Sequence, residues 1–206
     1  MNSKPNIKNI VFDLGNIIVD VDYRRFTNAM DWPFKDFWRF YESPFFRKFE
    51  IGKHTEIEFF RELEHYIPLD SGDEQRYRDN IHLTFPLRAK TWGIVHWLQL
   101  RHRLFLFSNT NSLDFNGVNA WMDLRAPFEA VYTSHEQGYL KPDVAAYRSA
   151  ETLFRINPSE TVFFDDHQEN IDAARAAGWN ALRIDNEKQL IQALQDYNFI
   201  LPDEIV

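Results

Sequence analysis

Short runs of β-branched and aromatic residues, each closed by a polar turn and parted from the next by a helical pattern, constrain this chain most. Asn9-Ile10-Val11-Phe12 runs into Asp13-Leu14-Gly15, and Arg103-Leu104-Phe105-Leu106-Phe107 runs into Ser108-Asn109-Thr110. Ala130-Val131-Tyr132 meets Thr133-Ser134, Thr161-Val162-Phe163-Phe164 meets Asp165-Asp166, and Asn180-Ala181-Leu182-Arg183-Ile184 follows Gly178. Such runs read as buried strands. Helical spacing fills the intervals at about residues 87–100, 112–122, 143–154 and 169–177, the last stopped by Gly178. Strands alternating with helices in this way imply right-handed crossovers and a doubly wound parallel sheet, an α/β fold. Ligands of such sheets sit beyond the carboxyl ends of the strands, where the strand order reverses. Asp13, Ser108, Asp165 and Asp166 all fall at expected strand ends.

From about Asp22 to Thr84 the pattern becomes helix upon helix, rich in aromatic residues such as Phe26, Phe37, Trp38, Phe40, Tyr41, Phe46, Phe49 and Phe59. This segment interrupts the alternation between the first two strands. The expected organisation is therefore an α/β core of residues 1–21 and 85–206 with an inserted α-helical domain, residues 22–84, lying over the site as a cap. Its aromatic side chains read mainly as the core of that insertion.

A net charge of -8 disfavours a nucleic-acid partner, whose phosphates need clustered Lys and Arg, and turns attention to small molecules. The absence of cysteine excludes disulfides, thiolate metal sites and a Cys nucleophile. The apolar run Ile10 to Val19 is interrupted by Asp13 and Asn16, and no uncharged stretch is long enough to span a bilayer. No membrane partner and a cytoplasmic location are expected, and the oligomeric state stays open.

Four pieces stand in order along the chain: Phe12-Asp13-Leu14-Gly15-Asn16, Phe107-Ser108-Asn109-Thr110, Leu140-Lys141-Pro142-Asp143, and Phe163-Phe164-Asp165-Asp166-His167-Gln168-Glu169-Asn170. At these residues the chain resembles the haloacid dehalogenase (HAD) superfamily, in its subfamily I with a helical cap. Within it the chain looks closest to the bacterial branch that includes glucose-1-phosphate phosphatase-like members. The resemblance spans nearly the whole chain. It implies a Rossmann-like core, a hydrolase acting on a small phosphorylated metabolite, and a Mg²⁺ cofactor. It also implies Asp13 as nucleophile and Asp13, Asp166 and the backbone carbonyl of Gly15 as metal ligands.

The residue types fit that chemistry on their own terms. A carboxylate that attacks phosphorus gives an aspartyl-phosphate and splits hydrolysis into two easier displacements. Asp13, Asp165 and Asp166 in one small site would repel one another, so a divalent cation and a Lys are needed to keep them ionised. Mg²⁺ suits a shell made only of oxygens. Lys141 would neutralise the nucleophile and clamp the transferring phosphoryl group, Ser108 would donate to a phosphate oxygen, and Asn109 would join them in binding substrate. Asp165 would orient Lys141 or metal-bound water, with Asn170 alongside. Pro142 fits the first position of a helix, which would set Lys141 at a helix entrance.

One position departs from the pattern that the resemblance implies. Most phosphatases of the superfamily carry a second Asp two residues beyond the nucleophile, as general acid and base, and here that position is Gly15. A positioned acid or base contributes typically about 10² to 10⁴ in rate. A leaving group that needs little protonation, such as the anomeric oxygen of a sugar 1-phosphate, would suffer least. Asp20 and Asp22 are nearby substitutes, although an Asp before a helix is ordinarily a cap.

Two other functions fit part of the pattern. A metal-free dehalogenase would use Asp13 on carbon but has no use for Asp165-Asp166. A catalytically silent binding protein would explain Gly15 but not the joint retention of Asp13, Lys141 and both acidic residues. The seven histidines show no zinc-ligand spacing, and His167 reads as an exposed loop residue.

Overall fold

The computed structural model of the chain describes residues 6–202. Strand β1 (Asn9–Phe12) leads into five short helices, α1 (Tyr23–Met30), α2 (Phe34–Tyr41), α3 (Pro44–Glu50), α4 (Glu56–Leu63) and α5 (Asp73–Asn80), and a 3-10 turn (Ile81–Thr84). Helix α6 (Ala89–Leu98) then returns the chain to β2 (Arg103–Ser108). There follow α7 (Ser112–Met122), β3 (Ala130–Thr133), α8 (Ser134–Gln137), α9 (Val144–Phe154), β4 (Thr161–Asp165), α10 (Gln168–Ala176), β5 (Asn180–Arg183) and α11 (Glu187–Asp196).

The strands form one parallel sheet in the order β3-β2-β1-β4-β5. The chain steps outward from β1 through β2 to β3, then crosses to β4 on the other side of β1, so the order reverses at the central strand. This is the doubly wound α/β class expected from the alternation. Side chains divide between the two faces with a period of two. Ile10, Phe12, Leu104, Leu106, Val162 and Phe164 pack with Ile94 and Leu98 of α6, Val118 of α7 and Leu194 of α11. Val11, Phe105, Phe107 and Phe163 pack with Ala146, Tyr147 and Ala150 of α9 and Ile171 and Ala174 of α10. Helices cover both faces, which is why the strands are continuous apolar runs.

The inserted helices join the sheet through paired linkers. Val19 bridges Leu87 in antiparallel fashion, and hydrogen bonds run from Asp20 N–H to the Pro86 carbonyl, Asp22 N–H to Thr84 and Arg88 N–H to Ile18. Apolar packing continues across this junction, since Phe26, Phe37, Phe40 and Phe59 share one cluster with Ile10 and Phe12. Contact is close at Gly52, whose φ is +69° and where an added Cβ would stand 2.2 Å from the His135 carbonyl oxygen. Only glycine permits that backbone and that approach together. Trp38 and Tyr41 correct the expectation of an internal aromatic core: both line the cavity at the strand ends, and Trp38 is 36% exposed. No helix among the described residues is long and apolar enough to cross a membrane.

Candidate active site

Asp13 directly follows β1, and its N–H donates to the Phe164 carbonyl, so the residue is held in register with β4. Lys141 reaches it from the loop before α9. The Nζ donates to Asp13 Oδ1 at 2.8 Å, to Asp165 Oδ2 at 2.7 Å and to the Phe107 carbonyl at 2.9 Å. It also lies 5.1 Å and 5.2 Å from the ring centres of Phe107 and Phe163. Burial alone would lower the pKa of this ammonium, but Asp13 and Asp165 more than reverse that and raise it well above the usual lysine range. Lys141 is therefore a fixed positive charge. Burial pushes the Asp13 carboxyl up to about 7, with Lys141 pulling it down and Asp165 and Asp166 pushing it further up. One lysine does not offset this group of acids.

Asp165 ends β4 fully buried, and both of its oxygens are engaged. Besides Lys141, it accepts from the His167 N–H at 2.8 Å, and Asn170 Nδ2 lies 3.0 Å from each oxygen. Asp166 is different. Its Oδ2 accepts from Asn16 Nδ2 at 2.9 Å, while its Oδ1 and Asp13 Oδ2 have no hydrogen bond among the described residues. Asp13, Asp165 and Asp166 each bring a carboxylate oxygen within 4.8 Å of the others. The two open oxygens are hard donors, and their negative charge is unbalanced. This donor set fits a divalent cation such as Mg²⁺ on Asp13 and Asp166, with Asp165 bonded to groups of the protein instead.

Asn16 was not singled out by sequence reasoning. It adopts a left-handed φ of 54°, a conformation Asn tolerates, and so turns its amide onto Asp166. Its carbonyl accepts from Arg88, which also bonds Asp20 Oδ1 at 2.6 Å. An Asn in the turn after a strand was the available signal. The same contacts bear on the missing acid: Asp20 is tied to Arg88, and Asp22 caps α1 by accepting from the Arg24 N–H. At Gly15 itself, an added Cβ would stand 3.2 Å from Val21 Cγ2, so Val21 crowds the space a side chain would enter.

Ser108 closes β2 and is 3% exposed, and among the described residues its hydroxyl makes only a 3.5 Å contact to the Asn109 carbonyl. The Asn109 side chain lines the cavity and also ties two loops together. Its Nδ2 donates to the Lys141 carbonyl and its Oδ1 accepts from the Lys141 N–H, both at 2.8 Å, which pins the lysine's backbone. Pro142 is not the first helical residue. The cap of α9 is Asp143, accepting from the Ala145 N–H, and the helix starts at Val144. His167 is exposed, as expected, and Asp165 and Asp166 do not cap α10.

A cavity of about 690 Å³ opens over these strand ends, lined by Asp13, Gly15, Ser108, Lys141 and Asp166. Tyr23, Arg47, Glu50 and Asp114 line it too, and no motif or spacing in the chain marks them. Burial and Asp114 push the Glu50 carboxyl up to about 7 against the pull of Arg47. Burial pushes Asp114 up to about 6, against the pull of the Tyr23 hydroxyl bonded to it and of the neighbouring Asn111 side chain.

The haloacid dehalogenase-like hydrolase family model matches residues 4–178. A D-ribitol-5-phosphate phosphatase of Bacteroides thetaiotaomicron is 24% identical over 202 residues, covering 87% of this chain and 93% of that protein. A HAD-like hydrolase structure from Porphyromonas gingivalis superposes with a TM-score of 0.77 at 26% identity, over 95% of this chain and 100% of that one. A HAD family enzyme of B. thetaiotaomicron, solved with magnesium and inorganic phosphate, superposes with a TM-score of 0.79 at 21% identity, over 89% and 98%.

Proposed function

The chain belongs to the haloacid dehalogenase-like hydrolase family, and on that premise we propose that it is a Mg²⁺-dependent phosphatase that hydrolyses a small sugar or sugar-alcohol phosphate through an aspartyl-phosphate on Asp13. The observation that carries this reading is the division of labour among the acids. Lys141 and Asn170 occupy Asp165, while one oxygen each of Asp13 and Asp166 stays open. The phosphatase activity of the ribitol-phosphate relative and the magnesium and phosphate in the neighbouring structure support it.

Asp13 and Asp166, with the Gly15 carbonyl, would hold the cation. When bound, Mg²⁺ supplies positive charge that keeps Asp13 ionised and offsets charge on the phosphoryl group. A carboxylate oxygen of Asp13 then forms a bond to phosphorus as the bond to the leaving oxygen breaks. Lys141, hydrogen-bonded to Asp13, holds the carboxylate in place and balances the charge carried through the transfer. Ser108 donates its hydroxyl to a phosphoryl oxygen, and Asn109 keeps Lys141 in place. Gly15 supplies no proton, so the leaving alkoxide takes one from water. A second water attacks the aspartyl-phosphate, which releases inorganic phosphate and restores Asp13. Residues 22–84 act as a cap over this chemistry and residues 1–21 and 85–206 as its core, a division supported by the paired linkers at 18–22 and 84–88.

A metal-free dehalogenase would leave Asp166 without a task. The test is phosphate release, with and without Mg²⁺, from glucose 1-phosphate, ribose 5-phosphate, ribitol 5-phosphate and a nucleoside monophosphate. Mg²⁺-dependent turnover of a sugar or polyol phosphate is expected, with Asp13→Asn reducing kcat by about 10³-fold or more. Activity that survives in Asp13→Asn would refute the aspartyl mechanism. Halide release from haloacids without Mg²⁺ would favour the dehalogenase, and inactivity on every substrate would favour a binding protein.

A further inference from the structure

Glu50 and Asp114 bring two carboxyl groups to the active-site cavity, and neither takes part in the chemistry proposed above. Asp114 stands in the first turn of α7, directly downstream of Ser108, and is 5% exposed. Its Oδ2 accepts from the Tyr23 hydroxyl at 2.6 Å, while its buried Oδ1 has no partner among the described residues. Glu50 is the last residue of α3. Its carbonyl accepts from Ser134 Oγ at 2.7 Å, and that hydroxyl also accepts from the Thr110 N–H, which anchors Glu50 to the loop after Ser108. The Glu50 carboxylate itself makes no hydrogen bond or ion pair among the described residues.

Two acids gathered in one cavity, one of them with a buried and unsatisfied oxygen, are unfavourable for the fold alone. They become favourable when a ligand brings donors to them. We propose that Glu50 and Asp114 form a leaving-group subsite that accepts hydrogen bonds from the hydroxyls of a polyhydroxylated substrate. The inference rests on the phosphatase reading and says what lies on the far side of the scissile bond. Tyr23 already exhibits the mode of recognition, an O–H donated to Asp114. Arg47, one turn before Glu50, lines the same cavity. It reduces the attraction that the two carboxylates would exert on an ammonium-bearing leaving group and can donate to a further hydroxyl. An anionic leaving group is disfavoured by the two carboxylates.

The test compares Mg²⁺-dependent kcat/KM for ribitol 5-phosphate, p-nitrophenyl phosphate and phosphoethanolamine in the native protein, Glu50→Gln and Asp114→Asn. The leaving groups are respectively a polyol, an aryl group without further hydroxyls, and a cationic amine. In the native protein ribitol 5-phosphate is expected to exceed phosphoethanolamine. Each variant is expected to lower the ratio of ribitol 5-phosphate to p-nitrophenyl phosphate by about tenfold or more, chiefly through KM, the range of one lost hydrogen bond to a charged group. A merely structural role would lower both substrates together and leave the ratio intact. Glu50→Gln carries the test should Asp114→Asn not fold, because the Glu50 carboxylate holds no hydrogen bond or ion pair among the described residues.

An unchanged ratio in the folded variants overturns the subsite, as does a native preference for phosphoethanolamine. Hydrolysis of p-nitrophenyl phosphate with no preference for the polyol overturns the subsite and leaves the phosphatase reading standing. Absence of Mg²⁺-dependent hydrolysis from all three substrates overturns both.

Discussion

The strand ends and the helical wall contribute carboxylates to one cavity but treat them in opposite ways. At the strand ends Asp165 is saturated by Lys141, Asn170 and a backbone N–H, and Asp13 shares the same lysine. On the wall, Asp114 keeps a buried oxygen without a hydrogen bond among the described residues, and the Glu50 carboxylate, though drawn toward Arg47, makes no hydrogen bond or ion pair among them. The difference separates what must be fixed before substrate arrives from what substrate completes. Groups that make and break the phosphorus bond gain from preorganisation, whereas groups that select a leaving group discriminate best when only the right donor satisfies them.

The sharpest way to break this contrast is to remove the compensation at the strand ends. Lys141→Met keeps much of the aliphatic length but leaves Asp13 and Asp165 without their shared cation. Breaking a buried ion pair from one side destabilises by roughly 3–5 kcal/mol. Urea unfolding of Lys141→Met at neutral pH is expected to show a loss of that order, and kcat is expected to fall by about 10³-fold or more. A second change, Asp165→Asn, should recover part of the stability and none of the turnover. If Lys141→Met unfolded like the native protein, the strand-end acids would not depend on that lysine.

Gly15 offers a smaller effect, in the direction of gain. Its position lies on the seam between the two regions, where Val21 stands 3.2 Å from a would-be Cβ. Val21 is 37% exposed and has room to give. Gly15→Asp, alone or with Val21→Ala, is expected to raise kcat on ribitol 5-phosphate by about tenfold, a part of what a positioned acid contributes. Glucose 1-phosphate, with its better leaving group, should gain less. Equal gains on both substrates would show that proton delivery does not limit turnover.

The two regions also differ in how far the sequence reveals them. Asp13, Ser108, Asp165 and Asp166 were legible because each closes an apolar strand, and a parallel sheet brings all such ends to one edge. Lys141 was legible through its place in an ordered motif. The tie from Asn109 to Lys141 was not, since it joins two loops by a reciprocal pair of hydrogen bonds that no spacing encodes. Nor was Asn16, whose role depends on a left-handed turn. Glu50 and Arg47 lie on a short helix of the insertion, and Asp114 stands where an acidic residue in the first turn of a helix is unremarkable. Their convergence is a product of how the insertion docks, through Gly52 against His135 and Ser134 against Glu50. Trp38 and Tyr41 were hidden among many aromatic residues for the same reason.

The smallest predicted effect concerns stability on the wall. Glu50 and Asp114 titrate near 7 and near 6 in the folded protein, above the ordinary values of 4.5 and 3.8. The folded state therefore holds more protons than the unfolded state between roughly pH 4 and 7, and stability falls as pH rises through that window. Removing one of these charges should flatten the fall. Glu50→Gln is expected to match the native protein at pH 4 and to exceed it at pH 8 by on the order of 1 kcal/mol, read from urea midpoints. Lys141→Met, by contrast, should be the less stable protein at both pH values. A Glu50→Gln protein that is less stable at pH 8 would mean that the carboxylate has a partner in the fold, and the wall would then resemble the strand ends.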